Sequence, residues 1–155
     1  MQKTKAEIEV ELNGLKPNDF NNLDETANGM ERLRVLLPEL VAVAPPSEAA
    51  LTILKLIERL SDTPDLLDCE LGTPGPMVHE LEKLPGYEPQ LIESVARFPT
   101  PLTVWMVNRI MNTLEKDDAR WIRLLDVLRR AAVATNSALG AAEEAKDFAR
   151  YQETY

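Results

Sequence analysis

Apolar side chains recur along this chain every three or four residues, which is the spacing of one face of an α-helix. The clearest example runs from Ser47 to Leu60, with Ser47 at the position of a helix N-cap. A second runs from Asp117 to Ala134, where Asp117 and Asp118 can cap the first turn. The apolar stripes are Ala50, Ile53, Leu54, Ile57 and Leu60 in the first helix, and Trp121, Leu124, Leu125, Leu128, Ala131 and Ala132 in the second.

Prolines divide the stretch between these two helices into shorter helical segments, because proline is tolerated in a first turn but breaks a helix interior. They predict helices at roughly 76–84, 88–98 and 101–115. The last of these is apolar almost all round, so we expect it in the centre of a stack of helices. The dividing prolines are Pro76, Pro85, Pro89, Pro99 and Pro101.

The two ends of the chain are less uniform. Leu23 to Val43 has a helical pattern, although Gly29 weakens its start and Pro38 should kink or divide it. Within residues 1–22 the apolar side chains alternate with glutamates, which fits a strand by period and a helix by residue type, so this segment stays undecided. Residues 141–155, rich in Ala, Glu and Lys, predict a terminal helix. The alternating apolar residues are Ile8, Val10 and Leu12.

Paired helices recur about every forty residues, a spacing typical of HEAT-like α-solenoids. The chain of 155 residues is the size of one domain. We therefore predict an all-α, HEAT-like single domain over residues 1–155. The predicted pairs are 24–43 with 47–61, 76–84 with 88–98, and 101–115 with 117–134.

Residue types exclude several kinds of site. The chain has one cysteine, Cys69, and one histidine, His79, which excludes an internal disulfide and zinc sites built from several Cys or His ligands. Lys83 stands where a zincin helix needs its second histidine, and no phosphate-binding loop or G-x-S-x-G motif is present. We therefore expect no metal, no cofactor and no enzymatic activity, with paired carboxylates as the remaining catalytic alternative.

Negative charge is concentrated between residues 58 and 93, where nine carboxylates stand against two cations and carry −7 of the net charge of −9. Such a surface attracts cationic partners and repels nucleic acid and anionic membranes. The start of the chain lacks the apolar core of a signal peptide, and no apolar stretch reaches the roughly 18 residues of a membrane helix. We expect a cytoplasmic protein that binds a basic protein partner.

The predicted helix at 101–115 contains two large side chains whose positions matter, those of Arg109 and Trp105. Arg109 is predicted to be buried and paired with Glu80 or Glu82, because a buried guanidinium needs an anionic partner. Trp105, like Trp121 in the next helix, lies in an apolar stripe and is predicted to be in the core.

Two segments resemble a known family. Residues 78–87 (VHELEKLPGY) and 91–112 (LIESVARFPTPLTVWMVNRIMN) look like the bacterial immunity protein 30 family, small all-helical proteins of polymorphic and contact-dependent growth-inhibition systems. The positions that carry the likeness are His79, Glu82, Tyr87, Trp105, Arg109 and Asn112.

The resemblance implies a one-to-one inhibitor of the C-terminal toxin domain of a secreted effector, often a nuclease. Nuclease domains are basic because they bind phosphate, so the acidic segment agrees with such a partner. Tyr87, beside carboxylates at a loop, would be the central anchor. The steering charges would be Asp62, Asp65, Asp68, Glu70 and Glu88. The alternative is a helical-repeat scaffold or adaptor that binds a basic cellular protein.

Overall fold

The fold was described from a computed structural model, which covers residues 2–21, 23–63, 71 and 75–155. Throughout these residues the regular structure is helical, without a strand, so the all-α prediction is confirmed. The chain forms two compact units, Met1–Tyr87 and Glu88–Tyr155. That residues 1–155 make a single domain stays a prediction.

In the described part of the first unit there are four α-helices and one short 3₁₀-helix. α1 packs against α2 and α3, and α4 packs against the same two helices. Their bounds are α1 Lys5–Asn13, the 3₁₀-helix Pro17–Phe20, α2 Gly29–Val43, α3 Pro46–Ser61 and α4 Gly75–Glu82.

α1 decides the ambiguous N-terminal pattern in favour of a helix. Thr4 and Glu7 form a capping box, in which each side chain accepts a hydrogen bond of 3.2 Å from the backbone N–H of the other. Ile8 and Leu12, four residues apart, are buried, whereas Val10 between them is 71% exposed. Ile8, Val10 and Leu12 therefore do not all face the same way, as they would in a strand. The capping box and the four-residue spacing of the buried pair favour the helix.

α2 begins at Gly29, six residues later than the sequence pattern predicted. The Asp24 carboxylate accepts hydrogen bonds from the Thr26 N–H at 2.9 Å and the Thr26 hydroxyl at 2.7 Å, so this segment forms a turn instead. These bonds also lower the pKa of Asp24. Pro38 was predicted to kink or divide this helix; it does not divide it, because α2 continues through that proline to Val43.

α3 matches its prediction except at the cap. The N-cap is Pro45 and the first helical residue is Pro46, so Ser47 lies inside the helix and the prediction that it caps α3 is wrong. Proline has the backbone angle of a first helical residue already fixed, which lets the helix start at Pro46, two positions earlier than a Ser47 cap would allow. The predicted apolar face is buried, with Ile53, Ile57 and others in the core.

The second unit contains the last four helices. α6, α7 and α8 pack against one another. α6 buries residues on most of its circumference, as predicted for a central helix. α7 begins after Asp118, whose side chain accepts from the Arg120 N–H at 2.8 Å, so the predicted cap is confirmed. The terminal helix is likewise confirmed as α8. Bounds are α5 Tyr87–Arg97, α6 Pro101–Met111, α7 Ala119–Ala132 and α8 Ala141–Thr154.

Candidate partner-binding surface

Three of the six predicted partner-binding residues lie in the described part of the chain. Asp62 is exposed and forms the C-cap of α3, directly after the buried Ser61. A carboxylate at this position is open to solvent and can contact a partner. The predicted residues Asp65, Asp68 and Glu70 lie outside the described residues, as does Cys69.

Glu88 is already paired within its own unit. Its Oε1 lies 2.5 Å from Arg120 Nη2, and its Oε2 accepts from Arg120 Nε at 3.3 Å. The side chain of Glu88 is 19% exposed, and that of Arg120 50%. The carboxylate also lies in the first turn of α5, where the helix dipole favours an anion. Glu88 therefore joins α5 to α7, and much of its charge is neutralised before any partner arrives.

Tyr87 is half-buried and is the first residue of α5. The preceding residue, Gly86, has φ +73°, the left-handed conformation that favours glycine, and this turn sets the direction in which α5 begins. A partner could therefore contact only part of the surface of this residue.

The charge of the molecule is divided unequally between its units. Met1–Tyr87 carries sixteen Asp and Glu against eight Lys and Arg, whereas Glu88–Tyr155 carries ten against nine. The first unit thus has a net charge of −8 and the second a net charge of −1. The acidic character of the chain therefore lies in the first unit, most of it in residues 58–87, which hold seven of the sixteen acids but only two of the eight cations.

Two lysines of the first unit form ion pairs with glutamates of the same unit. Lys3 Nζ lies 2.8 Å from Glu11 Oε2, and Lys5 Nζ lies 3.3 Å from Glu9 Oε1. The hydrogen bond to Glu11 raises the pKa of Lys3, as the hydrogen bond to Glu9 raises that of Lys5. Lys5, in the first turn of α1, and Lys3, just before that helix, therefore help to attach α1 to its surroundings. Their further contacts are with Glu39 of α2 and Glu48 of α3.

Arg59 has a structural role that the sequence did not reveal. Its Nη1 donates to the carbonyl oxygen of Leu15 at 2.7 Å, and its Nη2 donates to that of Leu12 at 3.0 Å. These carbonyls lie at the C-terminal end of α1, where backbone oxygens lack partners within the helix and a cation is favoured. Arg59 therefore anchors the end of α1 to the last turn of α3.

His79 is exposed on α4 and lines an open cleft of about 410 Å³ between α2 and α4. Arg34 and Glu80 line the same cleft, and the carboxylate of Glu80 lies 3.4 Å from Lys83 Nζ. Among the described side chains, no three His, Cys, Asp or Glu residues form a group that could hold a metal ion.

Arg109 differs from its prediction. It is exposed, and its guanidinium carbon lies 5.3 Å from the centre of the Trp105 ring, a cation–π arrangement. The prediction that Arg109 is buried is therefore wrong. Trp105 is half-buried rather than in the core, whereas Trp121 is buried as predicted.

The second unit contains a polar network that was not predicted from the sequence. Gln152 is buried, and its Nε2 donates to Asn108 Oδ1 at 2.8 Å and to Asn112 Oδ1 at 2.7 Å. Its Oε1 accepts from Trp121 Nε1 at 3.2 Å. One side chain of α8 thereby satisfies groups of α6 and α7. Asn112, one of the positions that carries the family likeness, therefore has a structural partner.

Within the described residues, no helix combines the length and the apolar character needed to cross a membrane. No protein-family model, no curated protein and no solved structure matches this chain. The likeness to immunity proteins therefore stays a hypothesis carried by residues 78–87 and 91–112.

Proposed function

We propose that this chain is a cytoplasmic immunity protein that binds and neutralises a cognate bacterial toxin domain, a basic nuclease, through acidic groups of its first unit. The observation that carries the proposal is the charge division, −8 in Met1–Tyr87 against −1 in Glu88–Tyr155. A basic domain approaching such a unit is attracted over several ångströms, which speeds encounter and orients the partner.

The accessible acids support the same proposal. Asp62 is exposed at the end of α3 and lies in the acidic stretch 58–93. Beyond that stretch, Glu25 and Glu31 are also exposed in the first unit. Exposed carboxylates that oppose a phosphate-binding surface compete with nucleic acid for the same cations. In this proposal the inhibitor acts by occupancy and performs no chemistry of its own.

We further propose that the helices form a HEAT-like stack. One connection within the first unit supports it: α2 and α3 are separated by two residues, 44–45, and contact each other. Helices joined by such short connections commonly pack as neighbours. A repeat of this kind would present successive helix ends along one side, where a partner can contact several of them.

Co-expression with the toxin domain encoded directly upstream of this gene tests the proposal. We expect growth to be restored and a one-to-one complex to be recovered by pull-down and gel filtration. Absence of both binding and rescue would contradict the proposal. Binding to a basic protein without growth rescue would instead favour the scaffold or adaptor function.

A further inference from the structure

The second unit contains a groove that is mainly apolar, whereas the first unit is strongly acidic. It lies between α5 and α7, has a volume of about 420 Å³, and is lined mainly by apolar side chains. None of the six predicted partner-binding residues lines it. The floor consists of Ile92, Val95 and Ala96 from α5, Val127 and Ala131 from α7, and Ala134 just after α7.

The shape of this floor suits a helix. Along α7 the groove runs from Arg123 to Ala131, which is about 12 Å at the helical rise of 1.5 Å per residue, or just over two turns, and Ala134 continues it beyond the end of that helix. Three of the six floor residues are alanines, which permit another backbone to approach closely. Val133 is 79% exposed at the end of α7, next to Ala134, and extends the apolar surface.

Charge at the rim indicates which helix would fit. Arg130 Nε lies 2.9 Å from Asp126 Oδ2, so these two rim charges largely neutralise one another. Arg123 is exposed at the rim and forms no salt bridge among the described residues. A partner carboxylate would complete this pair, whereas a partner cation would be repelled.

We propose that the α5–α7 groove binds an amphipathic helix of a protein partner, with the apolar face of that helix on the groove floor and an acidic residue beside Arg123. This is the helix-in-groove mode, in which apolar residues at positions i, i+4 and i+7 serve as anchors. The site is separate from the proposed toxin-binding acids, so the two proposals can fail independently.

Two synthetic helical peptides of about fifteen residues serve as probes. Both carry leucines at i, i+4 and i+7; one has a glutamate beside this stripe and the other a lysine at the same place. Titration followed by methyl NMR should shift the resonances of Ile92 and Val127, and the glutamate peptide should bind about fivefold more tightly. Equal affinity of the two peptides would overturn the charge assignment.

Matched variants locate the binding. Arg123→Glu should reverse the preference between the peptides, whereas Arg150→Glu, the same charge change at an exposed position of α8, should not. Ala96→Trp should block the groove and abolish both titrations, whereas Ala119→Trp, at an exposed position that does not line the groove, should leave them intact. Far-UV circular dichroism confirms that each variant is folded.

Other occupants give distinct results. A dimer in sedimentation equilibrium that Ala96→Trp dissociates would overturn the proposal in favour of a second copy of this chain. Shifts at Ile92 and Val127 produced by oleate but by neither peptide would overturn it in favour of a small amphiphile.

Discussion

Single side chains determine how the helices of each unit are held together, and Gln152 is the clearest example. It is the one residue of α8 whose amide meets acceptors on α6 and a donor on α7. A buried amide with all of these partners contributes modestly to stability, but removing it leaves several groups without hydrogen bonds. The cost of losing such a residue therefore exceeds its net contribution.

Gln152→Leu should lower the free energy of unfolding by about 1–3 kcal/mol, because the Asn108 and Asn112 amides and the Trp121 indole lose their shared partner. Urea unfolding followed by far-UV circular dichroism measures the change. Glu153→Gln is the control, since it removes an exposed ion pair with Arg129 and should cost less than about 1 kcal/mol. Equal effects of the two variants would argue against the network.

Gly29 is fixed by close packing. A Cβ at this position would lie 2.7 Å from the Asp19 carbonyl oxygen and 2.8 Å from the Phe20 ring. The absence of a side chain lets the start of α2 contact the 3₁₀-helix directly.

Gly29→Ala should therefore destabilise the protein by about 1–3 kcal/mol, as overpacking does in a close-packed region. Gly14→Ala is the matched control, because a Cβ there would meet backbone oxygens only at 3.4 and 3.6 Å and its φ of −78° suits any residue. We expect the control to be neutral or stabilising by about 0.5 kcal/mol. Thermal denaturation measures the stability of both variants. A Gly29→Ala variant as stable as the control would contradict the close approach of Gly29 to the 3₁₀-helix.

At the scale of elements, α1 depends on contacts from other helices. Its own apolar face contains few buried residues, Ile8 and Leu12, and a helix of nine residues is marginal in isolation. Hydrogen bonds from Arg59 and Thr52 of α3 and the ion pairs of Lys3 with Glu39 and of Lys5 with Glu48 supply further attachments.

Arg59→Met keeps most of the aliphatic stem and removes the two hydrogen bonds to the end of α1. Hydrogen bonds from charged groups contribute about 1.5–3 kcal/mol, so we expect a loss of that order, concentrated in α1. Amide hydrogen exchange should accelerate in Lys5–Asn13. Lys55→Met, at an exposed position of the same helix α3, should leave exchange in α1 unchanged. Uniform acceleration over the whole first unit would contradict a local anchoring role.

The elements were predictable because their signals are local. Proline positions and apolar spacing gave helices close to the observed α3, α4, α5, α6 and α7, and Asp118 was recognised as a cap from its neighbours alone. The exact start of α3 was missed because Pro46 competes with Ser47 for the first position. α2 was predicted too long because apolar spacing does not reveal the hydrogen bonds between Asp24 and Thr26 that form a turn before the helix.

The long-range contacts were not predictable from one sequence. Gln152 is separated from Asn108 by 44 residues, and Arg59 from Leu15 by the same number. Nothing in the local pattern shows that such residues meet. Arg109 was placed inside for the same reason, since its apolar neighbours indicated burial while the direction of its own side chain depends on the packed unit. Of the candidate site, the charge was predictable and the pairing of Glu88 with Arg120 was not.

At the scale of the whole molecule, the unequal charge predicts how mutations should change association. Replacing Asp62, Asp65, Asp68 and Glu70 by lysine should slow binding to the toxin domain about tenfold at low salt and weaken its salt dependence, because long-range attraction between charges acts mainly on the association rate. Stopped-flow or surface plasmon resonance at several salt concentrations measures this effect.

The matched control is Glu143→Lys with Glu144→Lys, two exposed acids of α8 in the nearly neutral second unit. Their replacement should change the association rate much less for each charge reversed. Equal slowing per charge in both sets would show that overall charge, and not the first unit, directs the encounter.

Both tryptophans of the chain, Trp105 and Trp121, belong to the second unit, one under the Arg109 guanidinium and the other hydrogen-bonded to Gln152. Their fluorescence is therefore an optical reporter of Glu88–Tyr155 alone, whereas the helical ellipticity at 222 nm reports both units. If residues 1–155 are one cooperative domain, as the sequence predicts, the two signals should change at the same denaturant concentration. If the fluorescence changes at a different denaturant concentration from the ellipticity, the two units unfold separately. The natural tryptophans would then report this without any added label.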